Sequence, residues 1–173
     1  MSNVFCVRRS DPEELRISIP DRGTDVLISV LARACAALAE TESQKRLAVW
    51  LAEHDRRLGT GFIGFAIAEM PWEACSFAAD RDFLVRAVDA ASMQTGWDRL
   101  PYLPNEPQLR PILGWFHKQL LRLNIADIDP YALNDWLDDM EPDDPVQTGF
   151  PRCERHGIYK TFLGCQICNC QGV

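Results

Sequence analysis

Long apolar runs are missing from this chain. No stretch approaches the ~20 residues that a bilayer span requires, and Arg8, Arg9, Asp11 and Glu13 interrupt the beginning where a signal peptide needs an apolar segment. Neither a membrane span nor a secretory leader is expected. Positive charge is in short supply: 18 Lys and Arg stand against 25 Asp and Glu, a formal net charge of −7. That balance disfavours non-specific nucleic-acid binding over the whole surface, because phosphate contact needs clustered cations. It suits a basic protein partner, which acidic patches steer toward complex formation.

Enzyme signatures are absent as well. The sequence has no G-x-S-x-G elbow, Walker A loop or H-E-x-x-H helix. Gly59, Gly61 and Gly64 match G-x-G-x-x-G literally, but they follow a helical pattern and precede a β-like run, the reverse of a dinucleotide site. Histidine numbers only three. A cysteine nucleophile would have to pair Cys35 or Cys75 with His54 or His117, and nothing in their spacing supports it. His54 falls on an apolar helical face and reads as a hydrogen-bonded core residue; His117 reads as surface or boundary.

What the chain does have is a chemically specific tail. Cys153-Glu154-Arg155-His156-Gly157 and Gly164-Cys165-Gln166-Ile167-Cys168-Asn169 each place two metal-binding side chains three positions apart. One such turn brings two ligands to a tetrahedral ion, and two turns complete a closed site with Zn–S near ~2.3 Å and Zn–N near ~2.0 Å. Gly157 and Asn169 tolerate the left-handed backbone that such turns often use, and Gly164 leaves room for a tight bend. The intervening Ile158–Leu163 is rich in β-formers and predicts a short strand or hairpin. The tail resembles a small zinc ribbon or zinc knuckle, with Cys153, His156, Cys165 and Cys168 as a Cys3His set. Cys170 is a spare sulfur that can replace His156 or stay free. Residues 1–145 resemble no family.

With four protein ligands, no position is open for water or substrate, so a structural zinc is expected rather than a catalytic one. The zinc-deaminase pattern is missing, since no His is followed two residues later by Glu and Gly164, not Pro, precedes Cys165. Cys6, Cys35 and Cys75, the cysteines outside the tail, read as reduced core residues, which fits a cytoplasmic protein.

The rest of the chain predicts an α+β fold that is predominantly helical, with about five helices and a few short strands. Residues 1–145 form a mainly helical domain and 146–173 the zinc-binding knuckle, the junction falling near Pro142–Gly149. Val4–Val7 and Leu15–Ile19 predict an N-terminal hairpin. Asp21-Arg22-Gly23 is expected as a loop, followed from Thr24 by a helix with Leu27, Val30, Leu31, Ala34 and Leu38 on one face. Thr41 and Gln44 make a candidate capping box for a helix carrying Leu47, Trp50, Leu51, His54 and Leu58, stopped by Gly59-Thr60-Gly61. Phe62–Ala68 predicts a buried strand and Asp80–Gln94 a helix. Asn105 is a candidate cap for a helix that Pro111 is expected to disturb, with Leu109, Leu113, Phe116, Leu120 and Leu123 facing inward. Asp129-Pro130 predicts the start of a last body helix bearing Leu133, Trp136, Leu137 and Met140, before an acidic, Pro-broken linker.

Small size, acidic balance and the lack of a catalytic constellation favour a non-enzymatic cytoplasmic protein-interaction module with a structural zinc. An immunity or inhibitor protein that masks a basic toxin is its concrete form, with Asp138, Asp139, Glu141, Asp143 and Asp144 as the partner-binding face. One alternative is a zinc-ribbon adaptor binding nucleic acid or a ribonucleoprotein through Arg152, Arg155, Tyr159, Lys160 and Phe162. The other is an enzyme with an unrecognised site around His54 or Cys75.

Overall fold

The computed structural model describes residues 2–54 and 64–169. Six α-helices and one two-stranded sheet make up the regular structure among them, an α+β fold dominated by helix. The expected Leu58, the Gly59-Thr60-Gly61 stop, Phe62, Ile63 and the spare Cys170 lie outside the described residues.

The N-terminal hairpin is present with shifted bounds. Strand β1, Ser2–Phe5, pairs antiparallel with β2, Ile17–Pro20. Helix α1, Asp21–Leu38, begins immediately after Pro20, so Asp21-Arg22-Gly23 is a first helical turn and not a loop. A glycine is tolerable there because the first N–H groups of a helix have no intrahelical partner anyway, and Asp21 sits favourably at the positive end of the helix dipole. Helix α2, Glu42–Glu53, carries the expected capping box: Thr41 Oγ1 accepts the Gln44 N–H at 3.3 Å and Gln44 Oε1 accepts the Thr41 N–H at 3.4 Å.

Between α2 and the next helix the described part of the predicted Phe62–Ala68 strand is not a strand. Ala66 makes a single parallel bridge to Cys6, and Ile67–Glu69 turns into a 3₁₀ segment. Gly64 explains the close approach to the hairpin, since a β-carbon there would fall 2.0 Å from the Val4 carbonyl oxygen. Helix α3, Phe77–Ser92, lies slightly N-terminal to the predicted Asp80–Gln94, with Asp80 inside its first turn. The buried Asp80 carboxylate accepts hydrogen bonds from Ser43 (2.9 Å) and Ser76 (2.6 Å), tying α3 to α2.

Helix α4, Glu106–Arg122, is capped by Asn105 and runs straight through Pro111. The carbonyl deprived of a partner belongs to the exposed Pro107 in the first turn, where water can replace the lost bond. Asp129-Pro130 does not open the next helix: Asp129 Oδ1 accepts the Tyr131 N–H at 2.9 Å in a turn, and α5 spans Ala132–Asp138. Cys75 is also corrected. It is exposed in the turn before α3, with Sγ 3.8 Å from Glu73, whereas Cys6 and Cys35 are buried as expected.

Helix α1 packs on α2 and α3, and α3 on α4. At the centre, Phe5 meets Phe65 edge to face at 5.0 Å and Phe116 at 5.6 Å, while Trp50 reaches Phe65 at 5.1 Å. His54 lies against this cluster, its ring 3.8 Å from that of Trp50 and its Nδ1 2.8 Å from the Trp50 carbonyl oxygen. Burial holds its pKa below the ordinary histidine value. Val146, Phe150, Ile158, Tyr159 and Ile167 from the tail belong to the same hydrophobic cluster as these helices.

Phe65 joins sheet, α2 and α4 through one buried ring. Phe65→Ala is expected to lower unfolding free energy by ~3–5 kcal/mol, measured by urea denaturation at neutral pH.

Candidate metal centre

Each ligand turn is built by local backbone bonds. The Gly157 N–H donates to the Cys153 carbonyl at 2.7 Å and the Cys153 N–H to the Ile158 carbonyl at 2.8 Å. Gly157 adopts φ +66°, the left-handed conformation anticipated after the first pair. Arg152 and Tyr159 form one antiparallel bridge and Thr161 and Gly164 another, so the intervening segment is two short ladders rather than a strand. The second pair differs from expectation. Cys165 precedes α6, Gln166–Asn169, and Cys168 follows one helical turn later on the same face. Asn169 is therefore helical, and its side-chain amide donates to the Leu163 carbonyl at 2.9 Å.

These two turns bring Cys153, His156, Cys165 and Cys168 together, with all four ligand atoms within 4.8 Å of one another. His156 Nδ1 lies 3.7, 3.5 and 3.4 Å from the sulfurs of Cys153, Cys165 and Cys168, and the Cys153 and Cys168 sulfurs are 3.7 Å apart. At that separation the sulfurs are not bonded to each other. The four residues can hold a metal ion. Cys153, His156 and Cys165 are buried and Cys168 is exposed.

The protonation preferences suit a metal site. Burial raises the Cys153 thiol, but N–H groups of His156 and Arg155 and the neighbouring Cys165 and Cys168 thiols outweigh it and bring the pKa below the usual value. Burial pushes Cys165 up to about 12, so it is the thiol that most needs a metal ion to ionise. Burial, followed by the charges of Arg155 and Arg33, lowers His156 and keeps its imidazole neutral.

A residue from the body locks the first turn. Arg33, on α1, donates from Nη1 to the His156 carbonyl at 2.6 Å. Its guanidinium lies between two left-handed glycines: a β-carbon on Gly157 would fall 2.6 Å from Nη1, and one on Gly96 2.9 Å from Nε. From α6, the Gln166 amide reaches the Ser29 hydroxyl at 3.1 Å; flipped to satisfy its neighbours, it also donates to the Ala52 carbonyl. Arg33 carries no motif. Its only trace in the sequence is a cation inside the apolar run Leu31-Ala32-Arg33-Ala34-Cys35.

The two predicted partner-binding sets are distributed differently. Asp139, Glu141, Asp143 and Asp144 line one cleft of about 540 Å³ together with Glu53, Trp136, Met140, Pro145 and Phe162; Asp138 is exposed but does not line it. Asp144 is buried, its Oδ1 accepting the Val146 N–H at 2.8 Å. Glu53, unremarked in the sequence, accepts the Trp136 indole N–H at 2.9 Å. Burial first, with a smaller contribution from Asp144, raises Glu53 to about 7 despite that hydrogen bond. In the second set Arg152, Arg155 and Lys160 are exposed, but Tyr159 is buried beneath Arg152, whose guanidinium is 4.6 Å from its ring. Phe162 is exposed on the acidic cleft.

No protein-family model, curated protein sequence or solved structure matches this chain. No helix among the described residues is long and apolar enough to cross a membrane.

Because Ile158, Tyr159 and Ile167 share the helical core, removing the metal should weaken the body as well as the tail. Excess chelator, or Cys165→Ser, is expected to abolish stoichiometric metal and lower the melting temperature of the main transition in calorimetry. A main transition that stays in place would mean the tail unfolds alone. Glu53 gives a pH prediction. Its folded pKa exceeds the unfolded value, so its stabilising protonation is complete below pH ~4.5 and is lost as pH rises through ~7. Glu53→Gln should gain stability over the unsubstituted protein on going from pH 5 to pH 8, by up to ~3 kcal/mol, in paired urea titrations.

Proposed function

We propose that this chain is a cytoplasmic protein-interaction module whose bound metal is a structural zinc, and that its acidic cleft masks a basic partner in the manner of an immunity or inhibitor protein. Zinc is supported by the donor set and its spacing. Tetrahedral bonds of ~2.3 Å to sulfur and ~2.0 Å to nitrogen give edges near ~3.8 Å between sulfurs and ~3.5 Å between sulfur and nitrogen. The separations of 3.7 Å between the Cys153 and Cys168 sulfurs and 3.4–3.7 Å from the three sulfurs to His156 Nδ1 match those edges. Thiolate and imidazole donors suit zinc and exclude the oxygen-seeking cations magnesium and calcium. With all four positions filled by protein the ion holds the tail in shape and has no place for substrate.

The observation that carries the interaction reading is the cleft. It combines five carboxyl groups with the apolar surfaces of Trp136, Met140 and Phe162, and among the described residues no Lys or Arg lines it. A concave negative surface with aromatic walls receives Lys and Arg side chains through charge and cation–π contact. The adaptor reading has less support. Tyr159 is buried and engaged by Arg152, and Phe162 faces carboxylates, so the pair offers no joint stacking platform beside the cations. An enzyme built on Cys75 and His54 also fares poorly, with the cysteine exposed beside Glu73 and the histidine stacked on Trp50.

Native mass spectrometry of the protein taken from its own cells tests the proposal. One zinc ion and a stoichiometric basic protein are expected, and the double substitution Asp139→Lys with Asp143→Lys should weaken that complex at least tenfold, as loss of close charge pairs does. Retention of no basic protein, or a complex indifferent to the reversal, defeats the masking role while leaving the zinc assignment standing.

A further inference from the structure

A second charged feature lies beside the metal turns and is made of arginine. Arg33 comes from α1, Arg99 from the 3₁₀ turn Trp97–Arg99, and Arg152 from the strand-like entry to the tail. Arg33 and Arg99 meet from distant parts of the chain. At the position a β-carbon would take on Gly157, Arg33 Nη1 is 2.6 Å away and Arg99 Nη1 3.6 Å away. Arg152 is near enough for its charge, with that of Arg99 and behind the larger effect of burial, to hold Arg33 below the ordinary guanidinium range.

None of the three forms an ion pair with a carboxylate among the described residues. Asp98 acts on Arg33 through its charge without pairing to it. The Nε of Arg33 is buried and has no hydrogen-bond partner among the described residues. A chain with a net charge of −7 has carboxylates to spare, yet among the described residues none of them pairs with these cations. Three thiolates on a divalent ion make the neighbouring centre anionic, which offsets part of their charge. Arg33 answers that need by holding the His156 turn, but the metal centre gives no reason for Arg99 to stand beside it.

We propose that Arg33, Arg99 and Arg152 form a binding site for a compact phosphate group, free or carried on a small molecule. Guanidinium forks match phosphate oxygens in pairs; Arg99 is exposed, Arg152 is exposed with Nη2 donating to the Tyr159 hydroxyl at 2.7 Å, and Arg33 is fixed by the His156 carbonyl. Compactness follows from the net charge of −7, which repels an extended polyanion. The site does not depend on the cleft or on any basic partner.

Titration of the metal-loaded protein with inorganic phosphate in low-salt buffer, followed by calorimetry, tests the proposal. Saturable binding is expected, weakened at least tenfold by Arg99→Ala and by Arg152→Ala and partly restored in Arg99→Lys. Arg110→Ala, at an exposed arginine paired with Glu106 on α4, should bind as the unsubstituted protein does. Metal content measured on the same samples should be unchanged throughout, which separates loss of a ligand site from loss of the metal turn. Absence of saturable phosphate binding, or equal affinity in the Arg99 and Arg152 variants, overturns the assignment. So does tighter binding of a short single-stranded oligonucleotide at equal ionic strength, which would make the patch a nucleic-acid surface.

Discussion

Everything after the acidic segment depends on four side chains meeting within 4.8 Å. The tail has little regular structure with which to fold unaided: among its described residues the backbone provides two isolated bridges and one helical turn. Segments of that size need a cross-link to become ordered, and a metal held by the two turns would supply it. The first turn must be left-handed at Gly157 and the second helical through Cys168, so the cluster fixes two different backbone conformations at once.

Once ordered, the tail is part of the body. Ile158 and Ile167 are among its most deeply buried side chains and join the helical core, Arg33 grips the His156 carbonyl, and Gln166 reaches Ser29 on α1. Ligation and packing therefore reinforce each other. A metal held there would order a surface that can be buried, and burial in turn holds the ligand turns together. The arginine is the costlier partner, since its charge is partly desolvated and only one of its donors is shown engaged.

Much of the surface mixes charge in ion pairs such as Arg9–Glu69 and Arg46–Glu73, but two places among the described residues gather one sign. Carboxylates gather around Trp136 and Phe162 in one cleft, while Arg33 and Arg99 gather near Gly157. Like charges so placed weaken folding unless something opposite offsets them. Glu53 shows one resolution, keeping a proton to about pH 7 next to Asp144. Such sorting is what separate binding faces for a cation-rich protein and for an anion would require.

The sequence by itself determined what depends on local spacing. The ligand residues, the Thr41–Gln44 capping box, the N-terminal hairpin and the apolar faces of the long helices were all legible, because each involves residues a few positions apart. Local reasoning misplaced the helix start at Asp129-Pro130, because an acid that looks like a cap can bond elsewhere: Asp129 accepts the Tyr131 N–H in a turn ahead of α5. The predicted strand after Gly64 likewise gave way to a single bridge with Cys6, set by close contact with the hairpin. Only the tertiary structure decided that Glu53 would sit at the acidic cleft, that Tyr159 would be buried under Arg152, and that Arg33 and Arg99 would meet at Gly157. Glu53 and Trp136 are 83 positions apart, Arg99 and Gly157 58, and Arg33 and Gly157 124, on elements whose relative placement no short-range pattern encodes; they meet because the helices pack around one aromatic cluster and the ligand turns pack on α1.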